Sequence, residues 1–315
     1  MRLTRVLITG SSGQIGSELI EALTKKYGEK NIIGLDINEP EQKENKFKFI
    51  KMDATDFEGL KRVVETNEVG EIYHLVSLLS ATGEKNPDLA WKINMSSLKY
   101  VLDIAKEKKI KVFWPSSIAA FGPTTPKENT PQKTILEPNT MYGVTKVAGE
   151  LLCNYYNHKY KVDVRSVRFP GLISWKTPPG GGTTDYAVAI FYEAIQKGHY
   201  KCFVKEDTIL PMMYMPDAIR AILELMSVPE EKIKIRTSYN LAAISFKAKE
   251  LETELKKYID FEIDYVPDER QKIADSWPKT IDDSAARKDW GWKHHYDLAA
   301  MTKDMYENLV KKLKG

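Results

Sequence analysis

Arg5-Val6-Leu7-Ile8-Thr9-Gly10-Ser11-Ser12-Gly13-Gln14-Ile15-Gly16 is the stretch on which the fold turns. Residues 5–9 form a short apolar run rich in β-branched side chains, which predicts a buried strand. Beyond the glycines, Ile15, Leu19, Ile20 and Leu23 recur on one helical face. The order is therefore strand, glycine turn, helix. In such a unit Gly10 makes the tight turn, Gly13 admits a close backbone approach, and Gly16 lets the helix pack on the sheet. The helix N-terminus then offers N–H groups to a pyrophosphate. The spacing is Gly-x-x-Gly-x-x-Gly; three glycines by themselves also suit a plain turn, and the position after the first strand is what gives them weight.

Working outward, a second apolar strand, Asn31-Ile32-Ile33-Gly34-Leu35, ends at Asp36, twenty residues past Gly16. An acidic residue there suits the hydroxyls of an adenosine ribose. A carboxylate would repel a 2′-phosphate and no arginine follows at once, so NAD is favoured over NADP. Phe47–Ile50 predicts a third strand, followed by Met52-Asp53-Ala54, where Asp53 fits either an adenine contact or a turn. Residues 57–66 read as a helix and Glu71–Val76 as a fourth strand. His74 lies inside that strand and is expected in the core. Ser77–Ala81 leaves its C-terminal end, the edge at which doubly wound sheets bind ligands. Residues 87–108 predict one long amphipathic helix in which Asn94 is either a buried hydrogen-bonding residue or an exposed one. A fifth strand at Val112–Trp114 leads into the serine pair Ser116-Ser117, and a proline-rich loop follows.

That loop delivers Asn139-Thr140-Met141-Tyr142-Gly143-Val144-Thr145-Lys146. On a helix capped by Asn139 or Thr140, Tyr142 and Lys146 lie one turn apart on one face. An ammonium beside a phenol favours the phenolate, so Tyr142 becomes a candidate general base near neutral pH. Tyr-x-x-x-Lys alone is weak among 16 tyrosines, and Tyr155 with Lys159 matches it too. Tyr155 is thirteen residues beyond Tyr142, roughly 220° round the helix at about 100° per residue. The two tyrosines cannot face one pocket, and the one near the helix start lies closer to the strand ends.

A sixth strand is expected over residues 162–169. The next segment, Pro178-Pro179-Gly180-Gly181-Gly182-Thr183-Thr184-Asp185-Tyr186, mixes fixed and free backbone and can present hydroxyls and amides to a small polar substrate. It equally suits a helix-entry loop capped by Thr184. The βα rhythm then loosens, with helices expected near 185–197, 216–227, 246–258 and 296–312 and strands near 201–204, 238–241 and 261–266. Trp277 suits a pocket wall or a core plug, and Trp290 and Trp292 are expected to pack. The 315 residues suggest about two domains. We expect an α/β fold: a Rossmann-type doubly wound parallel sheet over 1–170, and a smaller α/β substrate-binding part over 171–315, with the chain free to cross between them.

Composition narrows the function classes. The hydrophobic share is 42%, the charged share 29% and the net charge +3, so no polyanion-binding field is implied. Two cysteines, Cys153 and Cys202, give no disulfide framework or zinc set. No signal segment and no run of about 18 apolar residues is seen. A cytoplasmic protein with no metal, no nucleic acid and no membrane partner is expected.

Taken together, the glycine motif, Asp36, Ser117, Tyr142 and Lys146 resemble the extended short-chain dehydrogenase/reductase superfamily, over essentially the whole chain. Within it the chain is similar to the zinc-independent L-threonine 3-dehydrogenases. The residues behind that are Gly10 to Gly16 with Gln14, Phe121-Gly122-Pro123-Thr124-Thr125-Pro126, Met141 to Lys146, the Pro-Gly-Gly-Gly-Thr-Thr-Asp-Tyr loop, and Ile273–Pro278 followed by Asp282–Arg287. The resemblance implies oxidation of L-threonine to L-2-amino-3-oxobutyrate with hydride transfer to NAD. Tyr142 would be the base, Lys146 would hold the phenolate charge and bond the nicotinamide ribose, and Ser117 would orient the reacting hydroxyl. Gly10, Gly13, Gln14, Ile15, Gly16, Asp36, Asp53, Ala54, Leu75, Asn94 and Leu172 are the further residues expected around the cofactor. Ser80, Thr183 and Thr184 are candidates for the substrate head group, and Trp277 for closing the pocket. A homodimer built on helices of the nucleotide domain, and coupling to a 2-amino-3-oxobutyrate CoA ligase, are also implied. Two other readings compete: an NAD-dependent sugar-nucleotide epimerase or dehydratase of the same superfamily, and a non-catalytic NAD-sensing protein.

Overall fold

Val6, Leu7 and Ile8 are wholly buried in the first strand, β1 (Arg5–Thr9). Strands β2 (Ile32–Asp36), β3 (Lys48–Lys51), β4 (Val69–His74), β5 (Lys111–Ser117) and β6 (Val164–Phe169) follow it. The later strands are β7 (Gly171–Ile173), β8 (His199–Cys202), β9 (Ile209–Tyr214), β10 (Tyr239–Asn240), β11 (Ile244–Lys247) and β12 (Glu262–Tyr265). The computed structural model describes residues 4–40 and 47–314.

Seven strands form the main sheet in the order β3-β2-β1-β4-β5-β6-β10. It is a parallel Rossmann-type sheet, and β1 runs parallel to both β2 and β4. Chain order reverses between β1 and β4, so the loops leaving those two strands diverge. That is the switch point at which doubly wound sheets open a crevice.

Helices α1 (Gln14–Tyr27), α2 (Phe57–Thr66), α3 (Ser80–Lys85), α4 (Pro87–Trp91), α5 (Ser97–Lys108) and α6 (Met141–Tyr160) supply the connections. Apolar residues of α2, α5 and α6, among them Leu60, Leu98, Val101 and Cys153, are buried with Leu7, Leu35, Ile72, Val112 and Trp114 of the strands. The single helix expected over 87–108 is instead interrupted. Asn86 lies between α3 and α4, Pro87 starts α4, and a π-turn at Lys92–Ser96 separates α4 from α5.

The chain divides into two compact units and passes between them more than once. The first holds Met1–Ser116, Thr140–Val167 and Ile222–Tyr239; the second holds Ser117–Asn139, Arg168–Ala221 and Asn240–Gly315. Residues 117–139 and 222–239 thus fall on the other side of the division expected at 170. The second unit carries a three-stranded sheet, β11-β9-β7, and a two-stranded one, β12-β8. Helices α7 (Tyr186–Lys197), α8 (Met215–Ser227), α9 (Ala248–Leu255), α10 (Arg270–Ser276), α11 (Ser284–Trp290) and α12 (Leu298–Lys314) complete the chain, the last turns of α8 belonging to the first unit. Trp292 is wholly buried, its ring centroid 5.8 Å from that of Trp290. No described helix is long and apolar enough to cross a membrane.

Candidate active site

In the first unit the glycine turn has the geometry a phosphate cradle needs. Gly10 has φ +75, and a side chain there would come within 2.9 Å of the backbone of Leu75 and Val76. Gly16 lies so close to the turn that a Cβ would meet the Gly10 carbonyl oxygen at 2.3 Å. Both positions exclude any larger residue. Gly13 is the N-cap of α1 and brings no side chain to occupy the first-turn amides, to which Gln14 and Ile15 belong. Leu75 donates its N–H to the Thr9 carbonyl at 2.9 Å, tying the β4 exit to the β1 exit.

Asp36 ends β2 beside this turn. Its carboxylate accepts the N–H of Ser12 and that of Asn38, each at 3.0 Å. Asp53 is exposed and accepts both the N–H and the hydroxyl of Thr55 at 2.8 Å, while Ala54 next to it is buried. A dinucleotide fits these residues. The backbone approach is clear, the Asp36 carboxylate ends β2 beside the turn, where a ribose would be expected, and two buried hydroxyls on the loops after β1 and β4, those of Ser11 and Ser77, have no hydrogen-bond partner among the described residues. The hydroxyls of Ser11 and Ser77 were not singled out by spacing, because only burial distinguishes them from other loop serines.

Asn94 is buried in the π-turn. Its Oδ1 accepts the N–H of Leu78 at 2.7 Å, and its Nδ2 donates to the Leu78 carbonyl at 3.2 Å and to Thr145 Oγ1 at 3.0 Å. One side chain thus fixes the loop after β4 against α6. Ser80, at the start of α3, is buried on that same loop. His74 is fully buried, with Nδ1 hydrogen-bonded to Thr9 and Nε2 to Ser97. Burial, followed by the nearby Lys146 charge, pulls its pKa down to about 3, so it is a neutral structural imidazole.

Helix α6 starts at a real cap, Thr140 Oγ1 accepting the Gly143 N–H at 3.1 Å. Tyr142 is partly buried and Lys146 is 3% exposed. The Lys146 ammonium lies 5.2 Å from the Tyr142 ring centroid and 4.7 Å from that of Trp114, and it donates to the Pro115 carbonyl at 2.8 Å. Burial draws its pKa down to about 7. The indole reaches this place because residue 149 is glycine: a Cβ there would stand 2.5 Å from the Trp114 ring. The rival pair, Tyr155 and Lys159, is exposed, and Tyr155 packs only on neighbouring tyrosines among its ring contacts.

The remaining predicted residues belong to the second unit. Ser117 is the last residue of β5, and its hydroxyl accepts the Ala119 N–H at 3.2 Å. In the 178–186 loop, Gly180, Gly181 and Gly182 all donate N–H groups to one oxygen of Asp185, at 2.7, 2.8 and 2.8 Å. The loop amides therefore organise the loop around its own carboxylate, and the helix cap is Asp185 instead of Thr184. Thr183 is buried, and Thr184 packs its methyl over Gly171, close to Leu172 in β7. Trp277 is buried and lines a cavity of ≈ 200 Å³ with Lys127, Thr208 and Gln271.

Residues 6–242 match the NAD-dependent epimerase/dehydratase family, and the chain belongs to it. NAD is its cofactor. A protein of Staphylococcus haemolyticus named as an uncharacterised epimerase/dehydratase is 49% identical over 98% of this chain and 99% of its own. Among solved structures, an L-threonine dehydrogenase from Clostridium difficile is 50% identical with a TM-score of 0.97, each chain covered fully (100%). A monomeric L-threonine 3-dehydrogenase from a metagenome, also 50% identical, superposes with a TM-score of 0.94 over 98% of this chain and 99% of its own.

Proposed function

We propose that the chain oxidises L-threonine to L-2-amino-3-oxobutyrate. The observation that carries the reading is the buried Lys146 ammonium 5.2 Å from the Tyr142 ring, at the capped start of α6. The similarity to solved L-threonine dehydrogenases at 50% identity supports the choice of substrate. NAD, when bound, would supply the acceptor for the hydride of the hydroxyl-bearing carbon. Tyr142 takes the hydroxyl proton as a phenolate, and Lys146 offsets its negative charge. Lys146 would also hold the nicotinamide ribose. Ser117 bonds and orients the hydroxyl. Ser80, Thr183 and Thr184 grip the amino-acid head group, and Trp277 closes over it. Gly10, Gly13, Gln14, Ile15, Gly16, Asp36, Asp53, Ala54, Leu75, Asn94 and Leu172 would hold the dinucleotide. The product is a β-keto acid, for which a CoA ligase is the fitting consumer, in the cytoplasm.

The test is NADH appearance with L-threonine, run beside D-threonine, L-serine and a UDP-sugar. Tyr142→Phe should lower turnover by about 10²–10⁴-fold, the usual range for a lost acid–base group, with NAD affinity kept. No signal with threonine at saturating NAD would sink the reading. The second reading is a sugar-nucleotide epimerase or dehydratase, favoured by the names of the family and the curated relatives. Turnover of the UDP-sugar without net NADH would select it.

A homodimer through the first unit is the further proposal. On α6, Val144, Leu151 and Tyr155 are 38%, 59% and 50% exposed, at spacings that put them on one face. Leu89 and Trp91 of the neighbouring α4 are exposed as well.

A further inference from the structure

Lys146 raises a physical problem that its known neighbours do not solve. Its ammonium is removed from water, yet a neutral amine would not stabilise a phenolate. The neighbours on each packed element can be taken in turn. Strand β5 offers a carbonyl, Pro115, and the face of Trp114; both favour a cation, the ring by an interaction that strengthens on desolvation. Strand β4 offers His74, which is neutral and carries no charge to help. Helix α6 offers Tyr142, the thiol of Cys153, whose pKa is pushed well up by burial and which stays protonated, and Glu150.

Glu150 is the one formal anion in this set. It is 1% exposed and sits one helical turn beyond Lys146, so Tyr142, Lys146 and Glu150 follow each other at intervals of four. Its carboxylate accepts the hydroxyl of Ser116 at 2.6 Å, in the range of charge-assisted O–H···O⁻ bonds. Ser116 is itself buried. A carboxylate placed in the interior with a dedicated donor is costly unless a cation compensates it. Burial lowers the proton affinity of Lys146, and its helix neighbours Cys153 and then Glu150 raise it; because the Cys153 thiol stays protonated, the lasting charge in that set is the Glu150 carboxylate.

We propose that the buried Ser116–Glu150 pair is the counter-ion that keeps Lys146 cationic beside Tyr142. Glu150 is a positioning residue here, acting through the lysine. The proposal rests on the assignment of Lys146 made above, and the experiment separates the two. The ¹³Cε resonance of Lys146, assigned by its loss in Lys146→Met, is titrated in the cofactor-free protein. Glu150→Gln should move the midpoint down by about one pH unit, and Ser116→Ala should move it the same way by less. Glu150→Asp should restore part of the shift. In pH–rate profiles with NAD and L-threonine, the alkaline limb of Glu150→Gln should move down in parallel. An unchanged midpoint in both Glu150→Gln and Ser116→Ala overturns the proposal. A midpoint that moves while the rate profile stays put upholds the counter-ion and removes Lys146 from the reaction, which is a failure of the functional reading alone.

Discussion

Asp36 has two tasks that a single substitution would disturb together. It fastens the Ser12 amide of the glycine turn to the end of β2, and it presents a carboxylate where an adenosine ribose is expected. The first task is structural; the second is the proposed one, in which the carboxylate would set cofactor choice by repelling a 2′-phosphate. Asp36→Ala should weaken NAD binding by about tenfold to a hundredfold, or roughly 1.4–2.8 kcal/mol. It should also raise NADP use relative to NAD. The ratio of kcat/KM for the two cofactors checks this, and an unchanged preference removes Asp36 from cofactor choice. The same scale shows what residue spacing can reveal. Tyr142 was separable from Tyr155 by helical phase, and the exposure of Tyr155 agrees. Glu150, Gly149 and Trp114 were not separable. Their roles depend on an indole lying against α6 and a carboxylate turned inward, and neither has a pattern in sequence.

Among the elements, β4 and the segment from α4 to α5 illustrate the gap between period and packing. Apolar residues recur helically through 87–108, so the pattern reads as continuous. The π-turn at Lys92–Ser96 is invisible to that count, because one extra residue in a turn only rotates the face. It coincides with Asn94, whose amide is bound to Leu78 and Thr145. β4 carries a pH dependence of its own. His74 has a folded pKa of about 3 against 6.5 in a free chain, so between those values the unfolded chain binds the extra proton. Stability from this group is complete above about pH 6.5 and falls as pH drops toward 3. The slope should be about 1.4 kcal/mol per pH unit near pH 5. Urea melts of wild type and His74→Gln across pH 4–6 should differ in slope by close to that amount. Equal slopes would mean that His74 is charged, or solvated, in the native state.

At the scale of the whole molecule, oligomeric state is the open variable. The exposed stripe of Val144, Leu151 and Tyr155 is the sort of surface a second copy covers, whereas one solved relative at 50% identity is described as monomeric. The proposed dimer predicts sedimentation near twice 36.0 kDa at micromolar concentration. Leu151→Glu should return the chain to a monomer while its circular dichroism stays native, since that side chain is 59% exposed. A wild-type chain that sediments as a monomer at high concentration would refute the interface.

Sequence by itself determined the nucleotide half: a strand, a glycine turn, a helix and Asp36 follow one another within 32 residues, Arg5 to Asp36. Such signals are local, because backbone conformation and the dinucleotide's approach are set by residues close in the chain. It also put Tyr142 and Lys146 on one helix face, since two residues four apart share a face whatever surrounds them; Tyr155 and Lys159 share one too, and place near the helix start set the first pair apart. Only the tertiary structure decided the division of the chain. Residues 117–139 and 222–239 each belong to the unit that their flanking residues in sequence do not, and contacts between segments far apart in sequence leave no periodic trace. Burial was likewise tertiary. Ser116, Glu150, Asn94 and Asp185 look like ordinary polar residues until the fold encloses them or turns amides toward them. Once it does, the cost of an uncompensated polar group in the interior dictates what each must hold.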